Sequence, residues 1–77
     1  MPAKSKNIIG PQVRRARMQK KPELTQELLC ELLGDIGITI SRAGISKIET
    51  GERSVYDFEV KALAKVLGVT IQWLIEG

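Results

Sequence analysis

The chain has 77 residues, of which 43% are hydrophobic and only three are aromatic, so it is long enough for one small domain with a modest core. It contains no histidine and a single cysteine, Cys30, which excludes an internal disulfide, a zinc site of the usual type and a histidine-based catalytic site. Seven cations and no acid lie in residues 1–22 (+7), and five cations and nine acids lie in residues 23–77 (−4), which together give the net charge of +3. This asymmetry favours a polyanionic partner near the N-terminal segment, although a basic tail that merely aids solubility explains the charge equally well.

The cellular setting follows from what the sequence lacks. No apolar run approaches the roughly 18 residues that a membrane-spanning helix needs. No apolar segment of signal-peptide length follows the first lysines, so we expect a protein of the reducing cytoplasm that does not contact the membrane. Cys30 lies within an apolar helical pattern, which predicts a buried structural thiol.

The N-terminal half predicts two helices after a basic tail, residues 1–6, that we expect to be disordered. Asn7 is suited to cap a first helix over residues 8–20, in which Pro11 is tolerated in the first turn. A core-facing stripe at helical spacing then consists of Ile9, Val13, Ala16 and Arg17. The helix is expected to stop at Lys20-Lys21-Pro22.

Thr25 is predicted to begin the second helix, with Leu24 and Leu28 placed for a hydrophobic staple. Its wide apolar face is formed by Leu28, Leu29, Leu32 and Leu33, and Gly34 and Gly37 mark its exit. The alternating Ile38-Thr39-Ile40 is too short for a strand and lacks a partner segment. We therefore expect a connector whose isoleucines fill the core.

Three further helices are predicted in the C-terminal half. The third spans residues 41–50 after the N-cap Ser41, and Gly51 is suited to end it. A loop over 51–56 leads to a fourth helix over 57–67, ended by Gly68, and Thr70 caps a short fifth helix to about Glu76. Five short helices with brief connections predict an all-α fold, a compact five-helix bundle.

The third helix has the pattern of a surface that approaches an anion. Ile45 and Ile48 can face the core, whereas the opposite face carries Arg42, Ala43, Gly44 and Lys47, two cations and two small residues with no acid. Such a helix suits the DNA major groove, although an ordinary solvated face would have the same composition. Arg42 is the best candidate for base reading, because a guanidinium can bond guanine O6 and N7 together. Lys47 could reach a base or a phosphate, Ala43 could contact a thymine methyl, and Gly44 would allow close backbone approach.

Four segments in order resemble the Cro/phage-repressor (Xre-like) helix-turn-helix family over about residues 8–76. They are Ile9-Gly10 with Val13-Arg14 and Arg17, then Leu24-Thr25-Gln26-Glu27-Leu28-Leu29, then the run from Ile45 to Arg53, and finally Leu63-Ala64-Lys65-Val66-Leu67-Gly68-Val69. The resemblance implies a lambda-repressor-like DNA-binding domain over residues 7–77.

The resemblance also implies roles for individual residues. Positions that face bases or adjacent phosphates are matched by Ser41, Arg42, Ala43, Gly44 and Lys47. Gln26 matches a phosphate-binding position, and Arg53 matches a basic loop position that meets the DNA backbone. Arg17 and Glu49 match a structural ion pair between the first and third helices. The chain departs from the simplest family pattern by about five extra residues, placed at 34–38, which predicts a longer turn before the third helix.

The leading hypothesis is therefore a bacterial, cytoplasmic transcriptional regulator, a repressor by expectation, that binds double-stranded DNA sequence-specifically as a homodimer. Its last helix, with Ile71, Trp73, Leu74 and Ile75, could form the dimer surface or equally close the monomer core. The alternative is an antitoxin or coactivator-like protein-interaction module of the same fold, which its acidic body would suit. An enzyme is not expected, since no base and nucleophile pairing is evident, and neither a cofactor nor a metal is implied.

Overall fold

The computed structural model describes residues 5–77, which form five α-helices and no strand. The helices are α1 (Gly10–Gln19), α2 (Gln26–Asp35), α3 (Arg42–Glu49), α4 (Asp57–Leu67) and α5 (Ile71–Glu76). The predicted all-α, five-helix class is confirmed, and each boundary falls within two residues of the predicted one. Within the described range, every helix is too short or too polar to cross a membrane.

All five helices contribute to one core. Its largest fully buried side chains are Val13, Leu29, Leu33, Ile45, Ile48, Leu63, Leu67 and Leu74. Burying each such side chain stabilises the fold by about 1.5–3 kcal/mol relative to exposure. α3 packs against α1 and α2, whereas α4 packs against α1, α2 and α5. The side of α3 that faces away from α1 and α2 is consequently open to solvent.

Side-chain caps start the helices where the sequence predicted them. The Ser41 hydroxyl accepts a hydrogen bond from the Gly44 amide at 3.0 Å, and Thr25 and Thr70 cap α2 and α5 in the same way. These bonds satisfy first-turn amides that have no helical partner. α1 begins at Gly10, two residues later than predicted, and the Asn7 side chain accepts from the amides of Ile9 and Gly10 at 3.1 and 2.7 Å just before it.

The apolar face of α2 is narrower than predicted. Leu24 is buried but Leu28 is 42% exposed, so the predicted staple does not place Leu28 in the core. Leu29 and Leu33, one helical turn apart, are fully buried instead, and α2 packs against both α3 and α4. Cys30 is half-buried rather than fully buried, and its burial raises the pKa of the thiol.

The extra residues predicted at 34–38 lie partly in the last turn of α2 and partly in the loop before α3. α2 runs on to Asp35 and ends where Gly37, at φ +86°, adopts the left-handed conformation that glycine tolerates. The amide of Ile38 donates to the Leu33 carbonyl at 2.9 Å and closes the helix end. Ile40 is buried and Ile38 is partly buried against the core, so the predicted role of the connector isoleucines is confirmed.

The predicted disordered tail, residues 1–6, is only partly within the described range. Residues 1–4 lie outside it. The amide of Lys6 donates to the Gly51 carbonyl at 2.8 Å, and the Ser5 hydroxyl donates to the Asn7 carbonyl at 2.6 Å. Ser5 and Lys6 are therefore held by hydrogen bonds to the loop after α3 and to the start of α1.

Candidate nucleic-acid interface

The outer side of α3 is a polar, cationic surface. Arg42, Ala43, Ser46 and Lys47 are exposed, whereas Ile45 and Ile48 are fully buried. The only acid of α3, Glu49, is buried on the inner side. Neither salt bridge found within residues 5–77 involves Arg42 or Lys47. The solvent-facing part of this helix thus combines two cations, small side chains and hydroxyl groups.

Gly44 has a packing role that the sequence did not reveal. It is half-buried, and a Cβ at this position would lie 2.9 Å from the Ile40 Cγ2 and 3.3 Å from the Ser41 Oγ. The buried connector residue therefore occupies the space beside the helix start. A small residue at position 44 suits packing within the chain as well as the expected close approach of a ligand.

The predicted pair of Arg17 and Glu49 forms a buried ion pair between α1 and α3. The Arg17 Nε donates to Glu49 Oε2 at 2.7 Å, and the Arg17 Nη2 donates to Glu49 Oε1 at 3.1 Å. The Arg17 Nη1 donates to the Leu24 carbonyl at 3.0 Å. The hydrogen bond to Glu49 raises the pKa of Arg17. The pair therefore holds α3 against α1 and against the start of α2.

Gln26 joins this network. Its side-chain nitrogen donates to Glu49 Oε1 at 3.2 Å, which fixes the amide at the first turn of α2. A primary amide has two donor hydrogens, so this bond leaves a second N–H for a phosphate oxygen. Sequence reasoning placed Gln26 at an anion-binding position but did not foresee its bond to Glu49.

Arg53 is paired within the chain, which sequence reasoning missed. Its two terminal nitrogens donate to the two carboxylate oxygens of Glu59, each at 3.0 Å, and its side chain is only 28% exposed. Glu59 also accepts from the Tyr56 amide at 3.0 Å, and the Arg53 guanidinium is the main cause that lowers the pKa of this carboxyl. The signal was present in the sequence, because Glu59 stands at the third position of α4, where a carboxylate can reach back to the helix start. The charge of Arg53 is consequently balanced by Glu59.

Two depressions flank α3. The first, of about 660 Å³, lies between α3 and the neighbouring parts of α1 and α2. Its lining includes the predicted Gln26 and Arg42. It also includes the cation Arg14, the hydroxyl residues Ser46 and Thr50, and the acids Glu23 and Glu27. Ser46 and Thr50 were not singled out in the sequence, although they follow Arg42 at intervals of four residues and so share its side of the helix.

The second depression, of about 460 Å³, lies on the other side of α3. It is lined by Lys6, Ser41, Ala43, Gly44, Lys47, Glu52, Arg53 and Ser54. The seven residues predicted to bind DNA are thus divided by the helix, with Gln26 and Arg42 in the first depression and the other five in the second. α3 forms the ridge between them, as a helix that enters a groove would require.

Comparison with known protein families gives a match over most of the chain. Residues 13–74 match the helix-turn-helix family, a span that contains α2, α3 and α4 completely. No curated protein and no solved structure matches the chain.

Proposed function

We propose a function from the premise that this chain belongs to the helix-turn-helix family, of the Xre/lambda-repressor-like type, which supports a DNA-binding regulator. The chain binds double-stranded DNA sequence-specifically, with α3 in the major groove, and represses transcription in the bacterial cytoplasm. The observation that carries this proposal is the outer side of α3, where Arg42 and Lys47 are exposed and no acid faces solvent. Such a surface can enter a groove lined by phosphates without losing an internal ion pair.

The contacts are divided by chemistry. Arg42 reads guanine through O6 and N7, an interaction that discriminates against the wrong base by about 1–3 kcal/mol. Ala43 contacts a thymine methyl, and Lys47 bonds a base or a nearby phosphate. Ser41 and Gln26 bind phosphates at the first turns of α3 and α2, where helix amides add positive potential. Arg53 approaches the DNA backbone, but its contribution to affinity is small because Glu59 balances its charge.

The exposed hydroxyls of Ser46 and Thr50 extend this surface. Both residues line the depression that contains Arg42. The Thr50 hydroxyl donates to the Lys47 carbonyl at 3.2 Å, so it presents its oxygen lone pairs as acceptors. We assign Ser46 a secondary contact to a base or a phosphate, and Thr50 a contact to the amino group of a base, because a hydroxyl that only accepts cannot bond a phosphate oxygen.

We further propose that the chain acts as a homodimer through α5. Leu74 is fully buried and closes the monomer core, whereas Ile71 and Ile75 are 43% and 48% exposed. The helix thus has one apolar row for its own core and a second that is open to another copy. A twofold dimer would place two copies of α3 on half-sites about one DNA turn apart and would double the phosphate contacts.

The deciding experiment is selection from randomised duplexes, followed by affinity measurement over a range of salt concentrations. We expect an enriched palindromic site that is bound on the order of 1,000-fold or more tightly than random duplex. We also expect an affinity that falls steeply with salt, because bound cations release counterions from DNA. Failure to enrich any sequence would contradict the proposal. Salt-independent co-purification with one protein would instead support the antitoxin or coactivator alternative.

A further inference from the structure

The segment before α1 is fastened to the C-terminal end of α3. The Lys6 amide donates to the Gly51 carbonyl at 2.8 Å, and the Ser5 hydroxyl also reaches that carbonyl at 3.5 Å. Gly51 is buried, and a Cβ at this position would overlap the side chain of Ser5. The contact between the segment and the end of α3 is therefore close enough to set the path of the backbone at Lys6.

Asn7 holds this arrangement with all of its side-chain hydrogen-bonding groups. Its oxygen accepts from the amides of Ile9 and Gly10, and its nitrogen donates to the carbonyls of Ile48 and Arg53 at 3.1 and 2.8 Å. One half of the amide thus caps α1, and the other half ties the segment to α3 and to the loop that follows. Four bonds on one half-buried side chain make Asn7 a fixed junction between these elements.

The consequence is that Lys6 lies beside the proposed reading surface. Lys6 lines the same depression as Ser41, Ala43, Gly44 and Lys47. The depression also holds Arg53, which is paired with Glu59, and the exposed Glu52. Lys6 and Lys47 therefore supply the unbalanced positive charge of this side of α3, partly offset by Glu52.

We propose that Lys6 is a DNA-phosphate contact at the edge of the α3 surface, and that Asn7 is the positioning residue that holds it there. This inference rests on the proposed function and adds to it a contact formed by the segment before α1. A lysine fixed at the backbone needs to order only its own side chain when it meets a phosphate, so more of the electrostatic gain is retained as affinity. The contact carries no base information, because an ammonium group on a phosphate oxygen does not distinguish sequences.

The first test compares Lys6→Gln with Lys61→Gln in the full chain, using the selected duplex and a random duplex at several salt concentrations. Lys61 is exposed on α4, which packs against α1, α2 and α5, so Lys61→Gln removes the same charge on another element. We expect Lys6→Gln to weaken binding to both duplexes by the same factor and to reduce the salt slope by about 1 for each bound protomer, which is about 2 for the proposed dimer. Lys61→Gln should leave the slope unchanged.

The second test uses Asn7→Ser, which keeps a short oxygen to cap α1 but removes both donors to Ile48 and Arg53, with no change of charge. Its folded fraction is first checked by circular dichroism at the temperature of the binding assay. We expect weaker binding and a smaller salt slope, and we expect the double variant Lys6→Gln/Asn7→Ser to bind no more weakly than Lys6→Gln alone. An additive loss in the double variant would overturn the positioning role of Asn7.

The two levels of the proposal fail differently. If the wild-type chain bound no duplex, the proposed function itself would be wrong. If the wild type bound its site and Lys6→Gln left affinity and salt slope unchanged, only the phosphate contact of Lys6 would be refuted. Should Asn7→Ser be unfolded, Lys6→Gln alone still decides whether Lys6 meets the DNA, and Asn7→Thr, which is also uncharged and retains a cap oxygen, replaces it in the double-variant comparison.

Discussion

Arg17 and Glu49 join α1 to α3 through two parallel hydrogen bonds, at 2.7 and 3.1 Å, with only 9% and 4% of their side chains exposed. The third guanidinium nitrogen of Arg17, Nη1, donates to the Leu24 carbonyl, and the carboxylate also accepts from Gln26. Within residues 5–77, no buried side-chain polar atom lacks a partner. The pair therefore fixes the orientation of α3, and with it the proposed reading surface, relative to the rest of the domain.

Removal of one partner is expected to leave the other charge buried and unbalanced. We predict that Arg17→Met lowers the free energy of unfolding by about 3–5 kcal/mol, a large part of the stability of a domain this small. Arg15→Met, on the exposed side of the same helix, should change it by no more than about 0.5 kcal/mol. Urea unfolding followed by circular dichroism measures both. Equal stability of the two variants would show that the ion pair does not hold α1 and α3 together.

The approach of α1 to the end of α3 depends on Gly10. A Cβ on Gly10 would overlap the Ile48 carbonyl oxygen and would lie 2.9 Å from the Glu49 carbonyl oxygen. Because both are backbone atoms, α1 would have to move away, and we predict that Gly10→Ala destabilises the fold by about 1–3 kcal/mol. Gly34→Ala is the control, since nothing lies within 4 Å of a Cβ on this α2 residue. There the gain in helix propensity should stabilise by up to about 1 kcal/mol. Thermal unfolding of both variants should shift in opposite directions, and a shift of the same sign would contradict this account.

The pair of Arg53 and Glu59 predicts a pH dependence with a definite sign. Arg53 and the Tyr56 amide favour the ionised carboxylate, so the pKa of Glu59 is lower in the folded chain than its ordinary value of about 4.3. The stabilisation is complete above that ordinary value and is lost as the pH falls through the lower, folded-state value. We predict that wild type loses more stability than Glu59→Gln as the pH falls from 6 to below the folded-state pKa of Glu59. The midpoint of urea unfolding at each pH measures the stability of both proteins. Parallel curves for the two proteins would refute a contribution from this pair.

Much of the fold could be predicted from the sequence because its determinants are local. Ser41, Thr25 and Thr70 mark helix starts by chemistry that acts within three residues, and the stripe from Ile9 to Arg17 needs only helical spacing. The pair of Arg17 and Glu49 is 32 residues apart in the chain and came only from family resemblance. Helical spacing cannot predict this ion pair, because the two residues lie on different helices.

The features of the candidate site that could not be predicted from the sequence depend on how the loops bring distant residues together. Arg53 and Glu59 are six residues apart, but their pairing requires the loop to turn back on the start of α4. The bond from Asn7 to Arg53 and the position of Lys6 beside α3 require the complete arrangement of α1, α3 and the loop. Sequence reasoning identified Arg53 as a candidate DNA contact, and it included Lys6 only among the cations of the N-terminal segment. It could not tell that the first is internally paired and that the second lies next to the reading helix.

The exposed row of α5 leads to a prediction about assembly. Because Ile75 is 48% exposed while Leu74 fills the core, Ile75→Glu should leave the monomer folded but place a charge in an apolar dimer contact. We predict dimers of wild type at micromolar concentration and an 8.5 kDa monomer for the variant, measured by sedimentation equilibrium. Met18→Glu, at a 43% exposed position of α1, should remain dimeric. A monomeric wild type, also on its DNA site, would exclude dimerisation through α5.

Arg42 provides the sharpest test of sequence reading, because arginine and lysine share a charge but not a geometry. Lysine cannot bond guanine O6 and N7 with a planar fork, whereas it can still neutralise a phosphate. We predict that Arg42→Lys keeps the salt slope of wild type but reduces discrimination at one base pair by about 1–3 kcal/mol, and that Arg42→Ala loses this discrimination as well. Competition of the selected duplex against singly substituted duplexes measures the effect. Lys47→Gln serves as the comparison. If Lys47 contacts only a phosphate, its loss should weaken binding to all duplexes equally. An unchanged base preference in Arg42→Ala would show that Arg42 does not read the sequence and would leave it a contact to the phosphate backbone. Another residue of the α3 surface would then have to read the bases. Ser46, one helical turn along, is the nearest candidate.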